Sequence, residues 1–229
     1  MKKSISILVV GAALSIVTVF TTNAQKSSSF AGTIKISIKY EGENRNPQEH
    51  VPKEQFYTVF ENKMKVQDGP WWVYLYDGDK GTMTRLLDIP GNRGGCTHPA
   101  EVVESFLGLS TKKFTYKKGE ETKVICGYVC TRYDITIYDT ETEEETTVIA
   151  YTTTEIGKDY NINNFEYPGL TGFPLYTESE HKGVKTIEEA IEVKPTKVKA
   201  IDFLIPTNYK MMTPLEFNAY LKSLSNRDD

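Results

Sequence analysis

Thr33-Ile34-Lys35-Ile36-Ser37-Ile38-Lys39-Tyr40 decides the fold. Apolar and polar side chains alternate strictly through it. Ile34, Ile36, Ile38 and Tyr40 fall on one face, and Lys35, Ser37 and Lys39 on the other. That period of two predicts a strand with one buried and one wetted side.

Toward the C-terminus the same signal returns in short runs closed by turn residues. Phe56 to Phe60 and Lys63 to Gln67 flank Glu61-Asn62, and Trp71 to Tyr76 and Thr82 to Leu87 flank Asp77 to Gly81. Each pair predicts a hairpin, with glycine where positive φ is needed. Lys113 to Lys117 and Thr122 to Ile125 flank Lys118 to Glu121. Tyr133 to Asp139 and Thr146 to Thr154 flank an acidic tip, Thr140 to Glu145, read as a solvated turn. Residues 184 to 194 contain Glu and Ala, which favour helix, but Pro195 follows and β composition resumes over Val198 to Ile205. We read 184 to 194 as a strand. No βαβ alternation interrupts the series, which predicts an antiparallel meander. Residues 88 to 112, including Gly91-Asn92-Arg93-Gly94-Gly95, read as a long loop with a mobile glycine-rich connector.

Two helices are expected. Pro99 to Leu107 places Val102, Val103, Phe106 and Leu107 on one side, with Gly108 as a stop. Thr213-Pro214-Leu215-Glu216 is a capping box, and Phe217, Tyr220, Leu221 and Leu224 follow it at helical spacing. That stripe must cover something, and the sheet is the available partner.

Toward the N-terminus, Lys2 and Lys3 precede an apolar run from Ile5 to Phe20 and then Thr22-Asn23-Ala24. The pattern predicts a signal peptide, residues 1–24, cleaved after Ala24. Residues 25–229 then form a single exported domain, periplasmic or secreted, with no membrane span of its own. Loss of Lys2 and Lys3 moves the formal charge from −4 to −6. An acidic surface argues against nucleic acid and against electrostatic docking on anionic lipid.

Cys96, Cys126 and Cys130 leave an odd thiol in a compartment where disulfides form. On one extended strand Cys126 and Cys130 would lie about 13 Å apart, too far to bridge. Cys96 is therefore the expected partner of either, unless Gly127-Tyr128 makes a tight turn. Cys96, His98, Cys126 and Cys130 have donors suited to zinc, but no second matching pair supports a metal site. The histidines are scattered, the glycine-rich stretch lacks the Lys-Ser/Thr of a phosphate loop, and no Gly-x-Ser-x-Gly elbow occurs. No cofactor is implied, and an enzyme is not expected.

A curved sheet carrying this many large apolar groups either packs them as core or leaves a greasy hollow. By alternation, Ile36, Ile38, Tyr74, Tyr76, Ile135, Ile137, Ile149 and Tyr151 are the candidates to line such a hollow. Several marks recur in order: Phe30-Ala-Gly-Thr-Ile34, Ile125-Cys-Gly-Tyr-Val-Cys with Tyr133, Gly169-Leu-Thr-Gly-Phe-Pro-Leu175, Val193-Lys-Pro near Phe203 to Tyr209, and Met211 with Thr213. Through them the chain resembles secreted domains of uncharacterised function related to the periplasmic lipoprotein carriers LolA and LolB. The resemblance implies a strongly curved antiparallel half-barrel covered by helices, with an apolar concave side. It also implies a lipid or acyl chain as ligand. Cys130 falls at that family's cysteine, while Cys96 and Cys126 depart from it. The expected function is non-enzymatic binding of a lipid or other apolar ligand. The alternative is an envelope protein-interaction module with a filled core.

Overall fold

The structure, a computed structural model, describes residues 30–42, 53–99, 102, 108–156 and 166–225. Its strands are β1 (Gly32–Glu41), β2 (Glu54–Phe60), β3 (Lys63–Asp68), β4 (Trp72–Asp77), β5 (Thr82–Ile89) and β6 (Asn92–Pro99). They continue with β7 (Lys112–Ile125), β8 (Tyr128–Asp139), β9 (Glu145–Thr153), β10 (Phe173–His181), β11 (Val184–Pro195) and β12 (Lys210–Met212). A 3-10 turn (Ala200–Phe203) and helix α1 (Pro214–Ser225) complete the described elements.

All the strands join one sheet in the order β12-β6-β5-β4-β3-β2-β1-β11-β10-β9-β8-β7. Two meanders, β1 to β6 and β7 to β11, therefore meet where β1 pairs with β11. The alternating stretch Thr33 to Tyr40 is this seam. Ile34, Ile36 and Ile38 are buried while Thr33, Lys35 and Ser37 keep partial exposure. Each buried isoleucine contributes about 1.5–3 kcal/mol.

The sheet is open, because its end strands β12 and β7 do not pair, and it is curved. β5 and β8 stand eight places apart in the strand order. In a flat sheet that separation is about 38 Å. Yet Met83 and Arg85 of β5 border the same hollow as Ile137 of β8. Only a sheet rolled toward itself brings these side chains around one space.

Several expectations change. The sheet is not purely antiparallel, since β12 runs parallel to β6 with Met211 opposite Gly95. The chain reaches that edge by crossing from mid-sheet, and the crossing carries Phe203 onto Phe60 of β2, ring centroids 6.5 Å apart. Residues 198–205 consequently form no strand; within them Ala200–Phe203 make a 3-10 turn, with Ile201 and Leu204 exposed. The glycine-rich stretch is no connector: Gly94 and Gly95 lie within β6, paired with Leu87 and Leu86. Lys118 to Glu121 is not a turn but a bulge within the continuous strand β7. The turn comes at Cys126-Gly127, both with positive φ (49° and 88°), which suits a two-residue hairpin.

Of the helix cover the sequence suggests, the described residues show α1. The expected helix over 99 to 107 lies largely outside the described residues, and Pro99 itself ends β6. The signal sequence also lies outside them. α1 starts where the capping box places it: the Thr213 backbone N–H donates to Glu216 Oε2 (2.9 Å), and the Glu216 N–H to Thr213 Oγ1 (3.3 Å). Its Phe217 is fully buried against Leu87 and Cys96, with Tyr220, Leu221 and Leu224 packed alongside. None of the described helices is long and apolar enough to cross a membrane.

Candidate functional site

A hollow of about 570 Å³ lies on the concave side. Register explains which side chains reach it. Tyr57 pairs with Val66, Val66 with Tyr74 and Tyr74 with Arg85, so these four share one face across β2 to β5. From the far side come Ile137, Phe173, Leu175, Thr177 and Glu188. Ile36 joins them from the seam, and pairs with Gln55 on β2. Most of this wall is aliphatic or aromatic.

The ends of the concave face are closed in different ways. At the β6 end α1 lies over the sheet, and Arg85 bridges helix and hollow. Its guanidinium sits 5.3 Å from the Trp72 ring centroid and 5.6 Å from that of Phe217, in cation–π contact with both. At the other end Leu170 and Tyr167 pack on Ile135, Val148 and Ala150. Tyr116 Oη donates to the Pro168 carbonyl at 2.6 Å and ties that segment to β7. Burial pushes the Tyr116 phenol up to about 12.

Three carboxylates interrupt the apolar lining: Asp68, Glu166 and Glu188. Tyr57 Oη donates to Gln55 Oε1 (2.8 Å), and Gln55 Nε2 in turn donates to Asp68 Oδ1 (3.2 Å). Thr177 Oγ1 donates to Glu188 Oε2 at 2.9 Å. Glu166 is exposed and borders the hollow. Burial, and then the charges of Glu188 and Asp68, push it up to about 7. Glu188 is raised by burial too, against the hydrogen bond from Thr177. The Tyr57 phenol is held well above its usual value, first by burial and then by Glu166. Near neutrality the pair Glu166 and Glu188 thus resists carrying two charges.

Of the residues that alternation selected, Ile36, Tyr74, Tyr76 and Ile137 border the hollow. Ile38 is buried in the central cluster and Ile135 in the cluster under Leu170. Ile149 and Tyr151 pair with Asp134 and Arg132, and so lie on the face opposite Val148 and Ala150. Tyr151 Oη donates to Glu121 there, at 2.7 Å. Sequence reasoning passed over Tyr57, Val66, Phe173 and the carboxylates. Val66 and Asp68 could have been found by continuing the alternation from Met64. Glu188 could not, because Glu188-Glu189 offers no apolar phase.

The cysteines do not pair; all three are free. Cys96 packs under α1 with Phe217, whereas Cys130 belongs to the central cluster, and Cys126 sits exposed on its turn. This corrects the expected bridge from Cys96, which assumed a long loop free to reach either thiol. Cys96 Sγ instead lies 3.1 Å from His98 Nε2. Burial raises the Cys96 thiol, and burial with Arg85 lowers the His98 imidazole, so both stay neutral and the pair is not an activated nucleophile.

These features define a class: a β-sheet trough holding a mainly apolar internal hollow with carboxylates on its wall. No protein-family model matches the chain, and no curated protein is significantly similar to it.

Proposed function

We propose that the chain is an exported, non-enzymatic binding protein that holds a lipid or other apolar ligand in its hollow, in the manner of the LolA- and LolB-related domains it resembles. The hollow itself carries this reading. Its size lies within the range of ligand pockets, about 300–1,000 Å³, and its walls are chiefly hydrophobic and aromatic. The signal-like N-terminal stretch agrees with work outside the cytoplasm.

Titration with a fluorescent fatty acid and native mass spectrometry of the purified protein test it. Saturable one-to-one binding is expected. Val66→Trp, which fills the hollow from β3, should weaken binding about tenfold or more with the circular dichroism spectrum unchanged. A protein that stays empty and ignores the probe would end the proposal.

A second reading has an observation of its own. Ile201, Leu204 and Leu215 are 66%, 64% and 81% exposed, which suits a protein-interaction surface in the envelope. Under that reading the fluorescent fatty acid finds no saturable site, and Leu215→Asp removes a partner.

A further inference from the structure

We propose that the outer edge of β7 docks an extended acidic segment of a partner protein, which adds a strand to the sheet along Lys112 to Lys118. The inference goes beyond the binding reading above and does not rest on the hollow.

The two ends of the sheet differ. β12, at one end, has three residues and offers little edge. β7, at the other, has fourteen. From Lys112 to Lys118 it is regular, pairing residue for residue with Asp139 to Tyr133 on β8 before the bulge begins. β8 occupies one edge of that run. Along the other edge no strand pairs with it among the described residues. Such an edge carries a row of backbone N–H and C=O groups able to bond an added strand.

The side chains decide what kind of strand fits. Lys113, Thr115 and Lys117 share one face and are exposed. Phe114 and Tyr116 share the other, stacked with ring centroids 6.4 Å apart and half-buried against the cluster of Ile135 and Leu170. Among the described residues no ion pair includes Lys113 or Lys117, whereas Lys123 further along is held by Glu189. Asp134, opposite Lys117 on β8, is engaged by Arg132.

A second copy of this run is a poor occupant. Antiparallel pairing centred on Thr115 sets Lys113 against Lys117 and Lys112 against Lys118, and like charges directly opposite disfavour a sheet. Pairing centred beyond Lys118 meets the bulge. The same lysines that turn such strands away attract one with acids opposite them, so repulsion and attraction together set the specificity. The fitting segment carries Asp or Glu four residues apart, facing Lys113 and Lys117. Apolar residues flank the position between, and continue the layer of Phe114 and Tyr116.

The test uses the intact protein and the capped peptide Thr-Glu-Val-Thr-Val-Glu-Thr, read by amide NMR titration and hydrogen exchange. Saturable shifts and slowed exchange are expected along Lys112 to Lys118. Lys113→Glu with Lys117→Glu should weaken binding about tenfold or more, as two cross-strand pairs change from attractive to repulsive. That variant should instead take the peptide with Lys in place of both Glu. Both lysines are exposed, so its circular dichroism spectrum should match that of the unaltered protein. A peptide methylated on its central backbone nitrogens should not bind; equal binding would show surface attraction without strand addition and overturn the proposal. Shifts confined to other residues, or equal affinity of the unaltered protein for the Glu and Lys peptides, would overturn it too. Self-association that protects the β7 amides without any peptide would overturn it in favour of a second copy.

Discussion

Phe217 has no exposed surface and stacks on Tyr220, with ring centroids 6.4 Å apart. It seals Cys96 from solvent and holds the Arg85 guanidinium from above. Phe217→Ala should therefore cost about 3–5 kcal/mol in denaturant unfolding. It should also change thiol counting. In the intact protein a sulfhydryl reagent should modify Cys126 alone without denaturant, since Cys96 and Cys130 are buried. In the variant Cys96 should become a second accessible thiol. A different residue governs the response to pH. Glu166 titrates at about 7 in the fold, above the unfolded carboxylate value of 4.5. The native state thus binds the proton more tightly, and stability falls as pH rises between those values. Because the carboxyl faces the hollow, solvent screening reduces the effect to on the order of 1 kcal/mol. Glu166→Gln should gain about that much over the unaltered protein at pH 8 and nothing at pH 4, a difference of about 2–4 °C in melting temperature at the higher pH.

At the scale of elements, β1 is the strand on which both meanders depend, since β2 and β11 hydrogen-bond to its two edges. Ile36→Ala should cost about 2–5 kcal/mol. It should unfold both halves together, with coincident fluorescence and circular dichroism transitions; two separate transitions would show that the meanders fold independently. β1 was plain in the sequence because its inner residues are all large and its outer ones all polar. β6 was not, and the reason is steric. A Cβ on Gly94 would come within 2.6 Å of Met212 Cε and 3.0 Å of Tyr220, and one on Gly95 within 2.5 Å of Leu86. Glycine there admits β12 and α1, a demand set by chain more than 100 residues downstream and invisible in a local pattern. Local reading also missed the β7 bulge, because Lys118-Gly119-Glu120-Glu121 has turn composition. The pairing of β7 with β8 continues beyond it to the tighter turn at Cys126-Gly127. Glu188 was hidden for a related reason: an acid on the concave face breaks the very alternation by which that face is recognised.

For the whole molecule, the organising fact is that one open sheet curls until strands eight places apart border a common space. Curl, hollow and carboxylate-lined wall stand or fall together. A flat sheet would leave Tyr74 and Ile137 about 30 Å or more apart on open surface, with no shared ligand. Photolabelling with a single apolar diazirine probe at one equivalent, followed by peptide mass mapping, tests that arrangement most directly. The expected result is a set of adducts on both walls, at Val66 and Tyr74 on one side and at Ile137 and Phe173 on the other, all suppressed by excess unlabelled dodecanol. Adducts confined to the exposed apolar residues Ile201, Leu204 and Leu215, or to one wall alone, would contradict it.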